Sequence, residues 1–183
     1  MPLLESKPIK LGTIMPDFTL KTPDKKTING FSQIGKKGLL IIFTCNHCPY
    51  AQAIWDRIIK LEKEINPLGI NTIAINPNIN PQYPEDSPEA MLEEIKSRKI
   101  NFPYLIDEDQ SIARKYDAQC TPDIYLLDSE KKLVYHGRLD DNWKDESRVK
   151  VQDLKNAALA LVNEKEISSQ QIPSMGCSIK WVG

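Results

Sequence analysis

Cys45 and Cys48, in the stretch FTCNHCPY (43–50), are the residues whose types and spacing point most directly to chemistry. Two intervening residues let the sulfurs meet across one turn. Such a pair suits a reversible disulfide, half of a metal clasp, or a peroxide-reducing thiol. Thiol–disulfide exchange needs an attacking thiolate, a second thiol to resolve the mixed disulfide, and access for a partner's sulfur. Cys45, at the exposed edge of the turn, is the expected attacker, and Cys48, one turn into the following helix, the expected resolving thiol. His47, between them, would favour the thiolate if it carries a positive charge there. It also reads simply as an exposed histidine. A zinc site would call for a second pair of ligands at similar spacing. Cys120 and Cys177 instead stand alone, far from the pair and from each other, so no metal is expected.

The elements that must position the pair follow from hydrophobic patterning. GLLIIFTC (38–45) is a continuous apolar run, as in a strand buried on both faces. After Pro49 the apolar residues Ile54, Ile58, Leu61 and Ile65 recur at helical spacing, and Pro67 and Gly69 end the helix. Asp56, Arg57, Lys60, Glu62 and Lys63 fill the polar remainder. The pair therefore falls where a central strand meets a helix N-terminus, whose amides and macrodipole stabilise an anion such as a thiolate.

Elsewhere, PDFTL and the KTPDKKTI turn predict an N-terminal hairpin, INTIAIN (70–76) a strand, and PNINPQYPEDSPEA a loop. A helix is expected over 88–99, a short strand in FPYLIDE and a short helix over 109–116. DIYLLDSEKKLVYHGRLD predicts an antiparallel hairpin and SRVKVQDLKNAALALVNEK an amphipathic helix. The tail SSQQIPSMGCSIKWVG has no periodicity and is expected to pack back onto the body. His136 reads as a strand-face residue, and Asp140-Asp141 as adjacent solvated acids. The order implies an α/β layer design with a mixed sheet.

At 183 residues the chain suits one domain. Lys+Arg 24 against Asp+Glu 25 leaves a net charge of −1, which gives no field for nucleic acid or an acidic membrane. No apolar run is of signal-peptide or membrane-span length. A soluble, cytoplasmic protein is expected. Thiols there are kept reduced, so the pair is more in keeping with catalysis or metal binding than with a static bridge. No glycine loop suits a nucleotide, and no organic cofactor is expected.

Three stretches together, GTIMPDFTLKTPDKKTI, LLIIFTCNHCPY and CTPDIYLLDSEKKLVYHGRLD, resemble the thioredoxin-like superfamily, in its peroxiredoxin-like or redoxin (AhpC/TSA-type) branch. The tail SMGCSIKW is similar to the ending of a CxxC subgroup of that branch. The resemblance covers about 12–163, the core of a single 1–183 domain with the tail 164–183 packed on it. It implies a thioredoxin-like fold, a central mixed sheet flanked by helices with an N-terminal hairpin extension. It also implies that Thr121-Pro122 faces the dithiol with a cis proline, bringing Cys120 near as a third thiol or a buried packing residue.

The resemblance implies a thiol-disulfide oxidoreductase cycling Cys45 and Cys48. Its substrates would be protein or small-molecule disulfides and thiols, with an external reductant such as a thioredoxin or glutathione system. Two alternatives stand beside it. One is a thiol peroxidase in which Cys48 aligns with the peroxide-attacking cysteine. The position of that motif's hydroxyl residue is held by Cys45 and that of its proline by Ile41, and no arginine matches, so the donors that polarise a peroxide are missing. The other is a binding or adaptor module, with loop 77–88 as a partner surface.

Overall fold

The computed structural model describes residues 3–182. The strands are β1 (Leu3–Glu5), β2 (Thr19–Lys21), β3 (Thr27–Asn29), β4 (Gly38–Phe43), β5 (Ile70–Asn76), β6 (Tyr104–Ile106), β7 (Cys120–Thr121), β8 (Asp123–Asp128), β9 (Leu133–His136) and β10 (Met175–Ser178). The helices are α1 (Pro49–Ile65), α2 (Pro88–Arg98), α3 (Ser111–Lys115) and α4 (Asp153–Val162). Seven strands form one mixed sheet in the order β3-β2-β6-β5-β4-β8-β9. Within it β4/β5 and β5/β6 are parallel, and the remaining pairs are antiparallel.

The unbroken apolar run of β4 follows from its central place. Leu40 and Ile42 face a core shared with Ile58, Trp55, Ile124 and Ala158. Leu39, Ile41 and Phe43 face the opposite core, with Tyr116, Tyr125 and Phe18. Burying such a side chain stabilises by about 1.5–3 kcal/mol. A strand with both faces covered therefore carries no polar alternation. α1 begins at Pro49, where a missing N–H costs nothing, and Gly69, at φ +100°, turns the chain into β5. Ser87 caps α2 by accepting from the Ala90 N–H.

Several expectations of solvation are corrected by packing. Arg57 and Glu62 on α1 are buried, not surface residues. Arg57 pairs with Asp140 at 2.5 Å and donates to the carbonyls of Asn142, Ala53 and Trp143, so Asp140 is no solvated acid. His136 is buried too, bonded to Asp123 at 2.8 Å and stacked on Tyr125. For Arg57, Asp140 and His136 a distant partner supplies the compensation that lets a charged or polar group leave water, whereas Glu62 Oε2 is buried without one.

The tail does pack back, and it does so as a strand. β10 lies between β1 and β7 in a second, three-stranded antiparallel sheet. That sheet brings the N-terminus, the tail and Thr121 together. Among the described residues, no helix is long and apolar enough to cross a membrane.

Candidate functional site

β4 ends at Phe43, and the chain then turns through Thr44–His47 before Cys48 caps α1. The turn is built on a buried acid. Asp86 Oδ1 accepts from the Asn46 N–H at 2.6 Å and from Asn76 Nδ2 at 3.0 Å, while Oδ2 pairs with His47 Nδ1. Asn46 is fixed further by Tyr104, whose hydroxyl donates to its Oδ1, and by its own Nδ2 donating to the Glu85 carbonyl. Among the buried side-chain nitrogen and oxygen atoms of this turn, His47 Nε2 is the one without a partner. The ring stacks on Tyr83 with centroids 4.4 Å apart.

Opposite the turn stands β7. The Thr121–Pro122 peptide is cis. Thr121 Oγ1 lies 3.2 Å from Cys45 Sγ, and the Thr121 carbonyl lies 3.1 Å from Cys48 Sγ. Cys177, paired in register with Thr121 on β10, completes a cluster with Cys45, Cys48 and Ala51. All four cysteines are free thiols.

The sulfurs are not electrostatically equivalent. Cys48 is lowered to about 5, chiefly by the hydrogen bond from the Cys45 thiol and then by the Cys177 thiol, with the amides of Ala51 and Cys177 adding to these against the cost of burial. The Thr121 carbonyl works the other way, as an acceptor for a protonated sulfur. Against that carbonyl, two thiols and two amides draw negative charge toward Cys48. Cys45 is pushed well above the ordinary thiol range by burial first, then by its bond to Cys48 and the negative charge of Asp86.

Several predicted roles shift accordingly. Cys45 is not at an exposed edge; it is fully buried, and so is Cys48. The electrostatics favour the anion at Cys48, at the helix N-terminus, over Cys45. His47 does not stand beside the pair as a free cation, because its Nδ1 is committed to Asp86. It is not an exposed residue either, since its side chain is only 6% exposed. Cys120 is buried outside the sulfur cluster, its Sγ 3.4 Å from the Pro122 carbonyl. Burial and Asp123 push its thiol up. Adjacent strand residues point to opposite sides, so Thr121 faces Cys45 and Cys120 faces away.

Asp86 is the site residue that sequence reasoning missed, while Cys177, a tail cysteine that reads as a packing residue or a further redox thiol, joins the dithiol. Asp86 sits in QYPEDSP, which carries every mark of a surface loop and none of a buried acid. Cys177 has a tail signal, but only the β10 register reveals its neighbour. Cys45, His47 and Asp86 offer three donor atoms within 4.8 Å of one another, a set that could hold a cation. A structural zinc ion takes four such ligands. Here it would have to displace His47 from Asp86.

A mixed sheet flanked by helices, with a Cys-x-x-Cys pair at the N-terminus of the helix after the central strand and a cis-proline loop opposite, defines a thioredoxin-like redoxin. The profile of the AhpC/TSA family matches residues 11–136, and the chain belongs to that family. The chain is similar over its whole length to an uncharacterized conserved protein of Geobacillus kaustophilus. That match is 38% identical with a TM-score of 0.93, covering 100% of this chain and 97% of the other. A hypothetical protein of Sinorhizobium meliloti 1021 is 36% identical with a TM-score of 0.92, at 98% coverage of each chain. Thiol-disulfide oxidoreductase ResA of Bacillus subtilis is 25% identical over 126 residues, 69% of this chain and 66% of that protein's length.

Proposed function

We propose that the protein is a thiol-disulfide oxidoreductase in which Cys48 is the nucleophile and Cys45 the resolving thiol. The observation that carries this reading is the clustering of Cys45 and Cys48 at the α1 N-terminus opposite the Thr121–Pro122 turn, where the Cys45 thiol helps to lower Cys48 to about 5. The similarity to thiol-disulfide oxidoreductase ResA of Bacillus subtilis supports it.

The Cys48 thiolate attacks one sulfur of a substrate disulfide, forming a mixed disulfide and releasing the other sulfur as a thiolate. Cys45 then loses its proton to that leaving group and attacks Cys48. This breaks the mixed bond, closes the Cys45–Cys48 disulfide and releases the second substrate sulfur as a thiolate, which takes its proton from solvent. Two electrons pass from the dithiol to the substrate, and an external thiol system restores the pair. An apolar groove of about 250 Å³, bordered by Pro122, Ile54, Trp143 and Met175, lies beside the site and suits an apolar segment of a disulfide substrate.

The peroxidase alternative gains one point, since Cys48 is both the anionic sulfur and the position that aligns with a peroxide-attacking cysteine. It lacks the rest of the machinery. Arg57, Arg98, Arg114 and Arg138 are engaged elsewhere, and the Thr121 hydroxyl bonds Cys45 rather than Cys48.

The test is turnover of a small aromatic disulfide and of hydrogen peroxide with glutathione as electron source. Disulfide turnover that is lost in Cys48→Ser, with the substrate trapped on Cys48 when Cys45 and Cys177 are both replaced by Ser, is the expected result. Peroxide turnover as fast as disulfide turnover, with a sulfenic acid on Cys48, would overturn the reading.

A further inference from the structure

Cys177 is not placed beside Cys48 by a loose tail. Segment 174–182 is anchored on both sides of it. Upstream, Ser174 donates to the Gly137 carbonyl at 2.8 Å, and its own carbonyl accepts from the Ser6 N–H at 3.0 Å. Downstream, the Lys180 N–H donates to Asn78 Oδ1 at 2.9 Å, Gln110 Nε2 donates to the Lys180 carbonyl, and the Val182 N–H donates to Gln110 Oε1. Gln110 and Asn78 are themselves buried, so these are built contacts rather than surface ones.

Between the anchors, β10 is zipped to β7 so that Cys177 stands opposite Thr121, the residue that touches both dithiol sulfurs. Gly176 is what allows the approach. A Cβ there would fall inside contact distance of the Thr121 carbonyl and the Pro122 nitrogen. The tail thus brings a third sulfur into the cluster with Cys45 and Cys48, and it does so with 4% exposure where Cys45 and Cys48 have none.

Resting on the exchange reading above, we infer that Cys177 is a third exchange thiol, able to replace Cys45 as the disulfide partner of Cys48. The step is an internal thiol–disulfide exchange. Starting from the Cys45–Cys48 disulfide, Cys177 Sγ loses its proton and attacks Cys48 Sγ. The Cys45–Cys48 bond breaks as the Cys48–Cys177 bond forms. Cys45 leaves as a thiolate and takes up the proton that Cys177 gave up. No electrons are gained or lost overall, so no further oxidant is required.

Burial and the charge on Cys48 push the Cys177 thiol up to about 12 in the reduced protein. Once Cys48 is in a disulfide that charge is gone, and the barrier to forming the attacking thiolate falls. The consequence is a latch. With the Cys48–Cys177 bond made, β10 is covalently fixed over the site; with Cys177 free, the tail is held by hydrogen bonds alone.

The test uses the full chain oxidised with dithiodipyridine, quenched in acid and digested with trypsin without reduction. Cys45 and Cys48 share the tryptic peptide 38–57, Cys177 lies on 166–180 and Cys120 on 116–131. In Cys45→Ser, 38–57 joined to 166–180 in the majority of molecules is the expected result. Cys45→Ala repeats the measurement, and circular dichroism confirms that each variant is folded. The inference is overturned if both folded variants retain the pyridyl group on Cys48 with Cys177 free. The internal 45–48 bridge in the wild type reports separately on the exchange reading. If that bridge is missing while the 38–57 to 166–180 link forms in the variants, the Cys45–Cys48 cycle falls and the Cys48–Cys177 exchange stands.

Discussion

At the scale of single residues, the chemistry of the site comes down to which sulfur holds the negative charge. Residue order places Cys45 first and His47 beside the pair, and from order alone Cys45 is the natural nucleophile. In the mechanism proposed above the fold reverses this through two groups that local sequence does not announce. Asp86 takes His47 as its partner and places a negative charge near Cys45, and Cys177 gives Cys48 a second thiol donor. The dithiol itself was legible because its spacing is a local property. Its polarity was not, because it is set by residues 38 to 129 positions away along the chain. The reduced protein is therefore expected to show one thiol titrating near pH 5 by ultraviolet absorbance of the thiolate, and Cys48→Ser should remove it. A titration near pH 5 that survives in Cys48→Ser and vanishes in Cys45→Ser would reverse the assignment.

At the scale of elements, periodicity identified strands and helices wherever one face or both faces are buried. The apolar run of β4, the 3.6-residue spacing of α1 and the hairpin of β8 and β9 are all signals written within one segment. β1, β7 and β10 were not found, because each is two to four residues long and exists only through pairing with the others. Arg57 and Glu62 likewise look polar within α1, and only a loop more than eighty residues away explains why Arg57 is buried. The β10 ladder makes a direct prediction. Gly176→Ala forces a methyl into the Thr121 carbonyl, and overpacking of this kind costs about 1–3 kcal/mol. Local opening of the tail should rise accordingly, and alkylation of Cys48 by a bulky maleimide should speed up about tenfold or more. An unchanged alkylation rate would show that β10 does not control access.

At the scale of the whole molecule, the low Cys48 pKa ties stability to pH and to redox state. A thiol lowered from 9.0 to about 5 on folding favours the native state by an amount fully present above pH 9. That contribution shrinks as pH falls between 9 and 5 and is gone below 5. Cys45 is shifted upward, so its opposing contribution enters only above its ordinary value of 9.0. In the disulfide form neither sulfur titrates. The reduced protein is thus expected to gain stability relative to the oxidised protein as pH rises from 5 to 9, read as diverging denaturation midpoints. Parallel midpoints over that range would mean that Cys48 is not an anion in the native state.

Stabilising the thiolate also stabilises the reduced form, which makes the disulfide the stronger oxidant. The measurement that bears most directly on the account is equilibration of the full chain in graded glutathione buffers, with acid quenching and mass mapping at each potential. The account predicts a reversible two-electron transition between free thiols and an internal 45–48 bridge, with a midpoint above the roughly −270 mV of thioredoxin. Free thiols on Cys45 and Cys48 at every potential, or sulfurs that oxidise only after a bound metal ion is stripped away, would contradict it.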